Sequence, residues 1–536
     1  MEENKESLKT SEDIVNYIKS STSNSTDLVY RKVQVLDDIL YVVYSEAMTS
    51  TVVISDFVIR SIKEVSTEEE KKQKLSTIQN DLDLYIDDNL ELEKSKAAKF
   101  QKKKDNLKTK IASENLTDKI VNKLEENISI SKAKRIDIVQ DDIFYYIFSG
   151  FTCIIYNKEI LAVETKGALD RSINIPSVEN NIKGPKDAFT ENYQTNVGLI
   201  RKRIKSEKLV LEENLIGRRS KTKVGMMYVS DIVRPGIVKY IKNKLKKIDI
   251  DAILDSNYIM ELLEDSNKTS FPTMVSTERP DLVSYYLLQG RVALVVENSP
   301  FVLVLPAFMR DFLNNVEDNY QKSLDITLTK IIRYVAFVIT IFTPAVYIAL
   351  TTFNQEAIPT DLLVSFVSQR KGVPFPAFLE AFLMILSFEI LREGDYRVPN
   401  SSGSTLSIVG ALILGDAAVS AGIVSPIMII VIAITMISGL MFVDVNLLNA
   451  LRSWRIIFLI LASIAGIIGV GVATIMLFTK IANTTSFTKA FSYPISPINI
   501  KGIIGKVLKR ENISNDFQRE SILTDNITKY RIDKEN

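Results

Sequence analysis

The chain has 536 residues, 46% hydrophobic and 24% charged, with 66 Lys+Arg against 65 Asp+Glu for a net charge of +1. It contains no histidine and a single cysteine, Cys153, which excludes His-based triads, His metal sites, imidazole proton shuttles, an intrachain disulfide and thiolate clusters. The balanced charge gives no reason to expect a nucleic-acid partner.

The averages hide a segregation. Residues 398–443 hold one charged side chain, Asp416, and residues 456–479 hold none, whereas the first three hundred are dense in Lys, Glu and Asp. That pattern indicates an α/β soluble half followed by an all-α multi-pass membrane domain.

Residues 1–29 are polar, lack the apolar core of a secretory signal, and read as a tail. A first α/β subdomain is expected at 30–165, with a strand at Ile39–Tyr44 and a helix at Asp56–Lys63. A Lys/Glu-rich helical insertion falls at about 66–125, and its Lys-rich part at 94–110 reads as the wet face of a surface helix or coiled coil. A short helix then stops at Gly150, the usual helix-ending residue, and a hairpin turns at Asn157-Lys158.

The string at 141–164 lines up with that at 281–304, an offset of 281 − 141 = 140. Asp141/Asp281, Tyr145/Tyr285, Tyr146/Tyr286 and Gly150/Gly290 coincide. Residues 166–220 are expected to be a linker and 221–310 a second, related subdomain. Its parts are a strand at Val224–Val229, a helix at Gly236–Lys247, a strand at Ile250–Leu254 and a hairpin turning at Asn298-Ser299. Both subdomains are expected to hold mixed sheets.

Arg218, Arg219, Lys221 and Lys223 form a basic cluster before a strand. With no Gly-rich loop or Walker-type lysine beside it, a subunit interface is a better reading than a phosphate site. Thr277 reads as a helix N-cap with Pro280 in the first turn.

From 311 to 480 the chain reads as membrane domain. A spanning helix needs ~20 mostly apolar residues, and windows of that kind fall at about 331–351, 403–422, 426–444 and 456–479. The run 375–391 is shorter and carries Glu380 and Glu389, so an amphipathic or re-entrant helix is expected there. Ala465, Gly469 and Ala473 recur every four residues, the spacing of a flat packing strip. The segment after the last window is rich in Lys and Arg, which places a cytoplasmic tail at 481–536 on the positive-inside rule. The N-terminal part, without an export signal, is expected on the same side, so the crossings are even in number.

Several runs carry a resemblance: GPKDAFTENYQTNVGLIRKRIK (184–205), GRRSKTKV (217–224), FPTMVSTERPD (271–281) and GRVALVVENSPFVLVLPAF (290–308). YIALTTFNQEAIPTDLL (347–363), GVPFPAFLEAFLMILSFEILREGDYRVP (372–399) and GSTLSIVGALILGDAAVSAGIVSP (403–426) continue it. Over about 137–500 the chain resembles the GerA family, the A subunits of bacterial spore germinant receptors and the related stage V sporulation protein AF. The chain departs from that pattern at Gln289, where Glu is usual, and at Asp416, where Gln is usual.

The resemblance implies a protein of the spore inner membrane that oligomerises around a cation-conducting pore. Its implied partners are a transporter-like B subunit, a lipoprotein C subunit, further copies of itself and membrane lipid. The alternative is a stage V AF-like accessory protein acting with the dipicolinate release channel. No enzyme chemistry, metal or cofactor is expected on either reading.

A conducting path needs polar groups on an aqueous lumen, because charge facing lipid is costly. Glu380 shares a helical stripe with Ala377, Met384 and Ser387, which makes Glu380, Met384 and Ser387 candidates to line or gate a path; the bland reading pairs Glu380 with a cation on another subunit. Asp416 and Ser420, one turn apart, are a second candidate pair. The uncharged family residue at 416 favours a structural role there.

Overall fold

A computed structural model of the chain describes residues 10–35, 38–67, 121–122, 124–126, 132–138, 142–167, 183–264, 270–315, 323–395 and 414–500, with isolated positions elsewhere. Nearly all of the insertion expected at about 66–125 and half of the window at 403–422 lie outside the described residues.

Two five-stranded sheets build the first part. Strands β1 (Leu28–Val35), β2 (Asp38–Ser45), β3 (Ala133–Ile136), β4 (Phe151–Tyr156) and β5 (Glu159–Glu164) lie in the order β1-β2-β4-β5-β3. Strands β6 (Leu209–Ile216), β7 (Thr222–Val229), β8 (Val275–Thr277), β9 (Val292–Val296) and β10 (Val302–Leu305) lie in the order β6-β7-β9-β10-β8. The orders are the same once each strand is matched with its counterpart. The repeat seen at 141–164 and 281–304 is therefore a repeat of topology.

Its punctuation repeats too. Gly150 and Gly290 have φ of +88° and +92°, and the hairpin residues Asn157 and Asn298 have +53° and +65°. Glycine adopts this left-handed region without strain and asparagine tolerates it.

Three expectations change. Every pairing among the described strands is antiparallel, so the sheets are not mixed; each β4–β5 or β9–β10 hairpin pairs inward with the second strand and outward with the third. Ile250–Leu254 is not a strand. Its Ile250 and Asp251 carbonyls accept from Arg218 and Arg219 N–H, and the edge position belongs to β8. Residues 193–216, expected within a linker, carry a helix and β6, whose polar Glu212, Glu213 and Asn214 mask a strand paired with β7 along its length.

Around the first sheet lie α1 (Ser11–Ser21), α2 (51–67) and α3 (Ile143–Ile147). Helix α1 begins inside the stretch expected as a polar tail. Thr10 and Asp13 form a capping box there, and Ile14, Val15 and Ile18 are buried.

Around the second sheet lie α4 (Tyr193–Arg203), α5 (Pro235–Leu245), α6 (Ser256–Leu263), α7 (Pro280–Leu288) and α8 (Met309–Leu313). Helices α5 and α6 cover one of its faces. The other face, with α4 and α7, shares one continuous apolar core with the helices that follow. The two sheets are joined by Arg201, which donates to both oxygens of Asp27 at 2.8 Å, with both side chains buried.

The helical part comprises α9 (Ser323–Thr352), α10 (Thr360–Arg370), α11 (Ala377–Asp395), α12 (Pro426–Gly439) and α13 (Val445–Asn483). Asp325–Thr352 and Val445–Asn483 are long and apolar enough to cross a membrane; α12 is apolar but shorter, at 14 residues.

Helix α13 is not one rod. At Gly466 the backbone leaves helical geometry, with φ 59° and ψ −135°. A Cβ added at Gly469 would collide with the Leu461 carbonyl, eight positions earlier. In a straight helix residues that far apart are separated by about 12 Å, so the chain doubles back. The window 456–479, expected as a single pass, is thus two limbs of a hairpin. The expected small-residue strip is split with it: Gly469 and Ala473 are buried, while Ala465 is exposed beyond the break.

Both ends of α13 meet the soluble part. Asp444 lies within the electrostatic reach of Glu179, which accepts a hydrogen bond from Thr277. Just past the other end, Ser486 donates to the Thr273 carbonyl at 2.6 Å and Met309 N–H donates to the Phe491 carbonyl at 2.9 Å. Phe487 and Phe491 are fully buried there.

Candidate functional site

Helix α11 is neither isolated nor flat against the bundle. It runs alongside α12, with Glu380 meeting Ser425 at one end and Glu389 meeting Arg452 toward the other. Its buried side chains, Ala377, Ala381, Met384 and Ile385, pack with Met428 and Ile432 of α12 and with Tyr347 and Ile348 of α9. Alanine at two of these positions is what lets the helices approach closely.

Glu380 is completely buried. Its Oε2 accepts from the Ser425 N–H and hydroxyl, both at 2.9 Å, and its Oε1 stands 3.4 Å from Arg370 Nη2. Ser425 is the N-cap residue of α12, so the carboxylate also faces that helix's positive end, a favourable arrangement for an anion. The stripe proposed to face water instead faces other helices. Met384 is buried with it, and half-buried Ser387 donates back to the Leu383 carbonyl at 2.9 Å. The partner of Glu380 is Arg370 of the same chain, at the end of α10.

Asp416 and Ser420 sit on a helical stretch at 414–420, and both are exposed. Being four apart they share a face. Among the described residues Asp416 makes no hydrogen bond or ion pair that would give it a structural role.

In the soluble half, Arg218 is ion-paired with Asp249, and Arg219 stands 3.7 Å from Asp251, all four exposed. Lys221 lies in the turn before β7, and Lys223 stands 5.9 Å over the Tyr193 ring. The acidic partners of Arg218 and Arg219 are thus intrachain. Thr277 is in β8 rather than capping α7; Arg279 occupies the N-cap position, with Pro280 in the first turn as expected. Arg279 pairs with Asp281 at 2.8 Å, both buried.

Burial raises the Glu179 carboxyl to about 7; Glu278 and Asp444 push the same way, offset by the Thr277 hydroxyl and Arg279. This group, the Arg370 partner of Glu380, and the capping of the broken helix were not foreseen. In the last, Asn354 Oδ1 accepts from Ile467 N–H at 3.3 Å, just past Gly466. A Gly-rich cluster in the window and Asn354 at the end of the first span were the visible hints, 113 positions apart in sequence.

A family model described as Bacillus/Clostridium GerA spore germination protein matches residues 16–522. Spore germination protein KA of Bacillus subtilis (strain 168) is 43% identical over 347 residues, 65% of this chain and 64% of that protein. The chain thus spans a little under two thirds of that relative's length. The uncharacterized membrane protein YfkQ of the same organism is 38% identical over 359 residues, 67% of this chain and 68% of that one. Spore germination protein GerLA of Bacillus cereus is 35% identical over 358 residues, covering 66% and 73%. The crystal structure of the N-terminal domain of the A subunit of the Bacillus megaterium spore germinant receptor GerK3 aligns with a TM-score of 0.37 and 27% identity, covering 56% of this chain and 98% of that one.

Proposed function

Since the chain belongs to the GerA family of spore germination proteins, we propose that it is the A subunit of a nutrient germinant receptor in the spore inner membrane, forming or gating an oligomeric cation-conducting pore. It acts there with a transporter-like B subunit and a lipoprotein C subunit. The helical part is the membrane domain.

Helix α9 leaves the soluble part and the chain returns to it at Thr484, so the crossings come in pairs. Within the domain, Gly410 lies beside Leu391 and Gly422 beside Gly372, so the chain at 414–422 runs antiparallel to α11. Gly439 lies beside Thr340, and with the two limbs of α13 the bundle reads as three helical hairpins. On the positive-inside rule the soluble half and the tail are cytoplasmic.

The observation that carries the conducting role is Asp416. A carboxylate exposed on one chain, within a stretch that is otherwise apolar, is costly against lipid. Several copies arranged with that face inward give it water and a ring of negative charge that draws cations. Ser420 extends the same wet face. Glu380 holds α10, α11 and α12 in register behind it.

The test is nutrient-triggered flux from vesicles holding this chain with its B and C subunits. Asp416→Asn is expected to lower the cation-over-anion preference several-fold while leaving assembly intact; unchanged selectivity and conductance refute the assignment.

A further inference from the structure

Two arginines converge on a single carboxylate where the helical bundle approaches the β-structured part, and a third lies close by. Arg392, near the end of α11, and Arg452, two turns into α13, both place Nη2 2.7 Å from Glu389 Oε2. Arg455, one turn further, lies in the field of the same three groups and is only 3% exposed. Among the described residues it has no carboxylate partner. Its Nη1 reaches the Met436 sulfur at 3.4 Å, and its Nε has no hydrogen-bond partner.

The local sum is 3 − 1 = +2. Glu393 on the next turn is exposed, and Asp395 and Arg397 follow it in sequence, so the wider stretch adds acids as well as a cation. A buried guanidinium with an idle N–H is expensive unless an anion completes it. Planar guanidinium forks match the oxygens of phosphate in particular.

Depth selects the source. Arg452 and Arg455 immediately precede the charge-free run 456–479. These cations mark the level of the head groups on the side of the soluble half. We propose that Arg392, Arg452 and Arg455 form a phosphate-class oxyanion site, occupied in the membrane by the head group of an anionic phospholipid. Glu389 orders two of the arginines and limits the affinity.

This inference rests on the membrane-domain reading, and the two fail differently. A chain that purifies without detergent sinks the reading. A detergent-requiring chain with no anion preference sinks only the site.

The experiment is native mass spectrometry of the full chain with phosphatidylglycerol or phosphatidylcholine, paired with thermal unfolding in inorganic phosphate without lipid. The wild type is expected to retain phosphatidylglycerol about tenfold better. Arg452→Gln and Arg455→Gln each lose roughly fivefold, Glu389→Gln gains, and the exposed Arg218→Gln changes nothing. Phosphate stabilisation that disappears in Arg452→Gln, without lipid preference, assigns the site to a free anion. Equal retention of both lipids and no phosphate effect overturns the proposal, as does a preference that survives both arginine variants. Should an arginine variant fail to fold, the wild-type preference and the opposite effect of Glu389→Gln still decide.

Discussion

Glu179 sits against Glu278 and Asp444, and burial holds its carboxyl at about 7 against an ordinary 4.5. An acid of that kind is bound to its proton more tightly in the folded chain than in the unfolded one. Its favourable contribution is complete below about 4.5, falls as the pH rises through about 7, and is constant above. The displacement is worth roughly 3 kcal/mol. Glu179→Gln is therefore expected to flatten the dependence of unfolding temperature on pH between about 5 and 8; an unchanged slope by differential scanning fluorimetry contradicts this. Glu380 is a buried acid with three contacts in place. Glu380→Ala leaves Arg370 and the Ser425 N–H unpaired and is expected to cost about 3 kcal/mol, with Glu380→Gln costing less, as read by thermal unfolding in detergent. Neither partner set could be found by inspection, because Thr277 lies 98 positions from Glu179 and Ser425 lies 45 from Glu380.

Among the elements, those with a strong local signal were legible in the sequence. The two hairpins announce themselves by paired apolar runs and by Gly and Asn at positions needing positive φ, and their equal spacing disclosed the repeat. Strand β6 was missed because three consecutive polar residues, Glu212, Glu213 and Asn214, fall on both of its faces and break the apolar pattern. The short edge strand β8 offers three residues and no periodicity. The Gly466 reversal was invisible for a different reason: lipid-facing and helix-facing residues are both apolar, so hydropathy runs on unbroken through a turn. Gly466 cannot readily be replaced, since a Cβ there meets Phe353 Cβ at 2.7 Å on a backbone with φ +59°. Gly466→Ala is expected to destabilise by about 1–3 kcal/mol, whereas Gly471→Ala, with nothing within 4 Å of the added carbon, should be neutral or slightly stabilising. Equal melting temperatures for the two variants count against the hairpin.

At the level of the whole chain, the tail returns to the second sheet, and on the proposed membrane reading the segments at that end share one side. Cys153 is fully buried, and burial pushes its thiol to about 12, so it stays silent toward maleimides. A membrane-impermeant maleimide is expected to label Ser55→Cys and Ile498→Cys from one face and Lys371→Cys from the other; all three reacting from a single face excludes the arrangement. The soluble part and the bundle are also not separate bodies held by a strap. Apolar side chains run without a seam from β9 and β10 through α7 to α9 and both limbs of α13. A body built this way has no swivel at its waist. Torque applied to the β-structured end by a neighbouring protein would travel up the returning limb, so the sheets and the helical bundle turn as one lever.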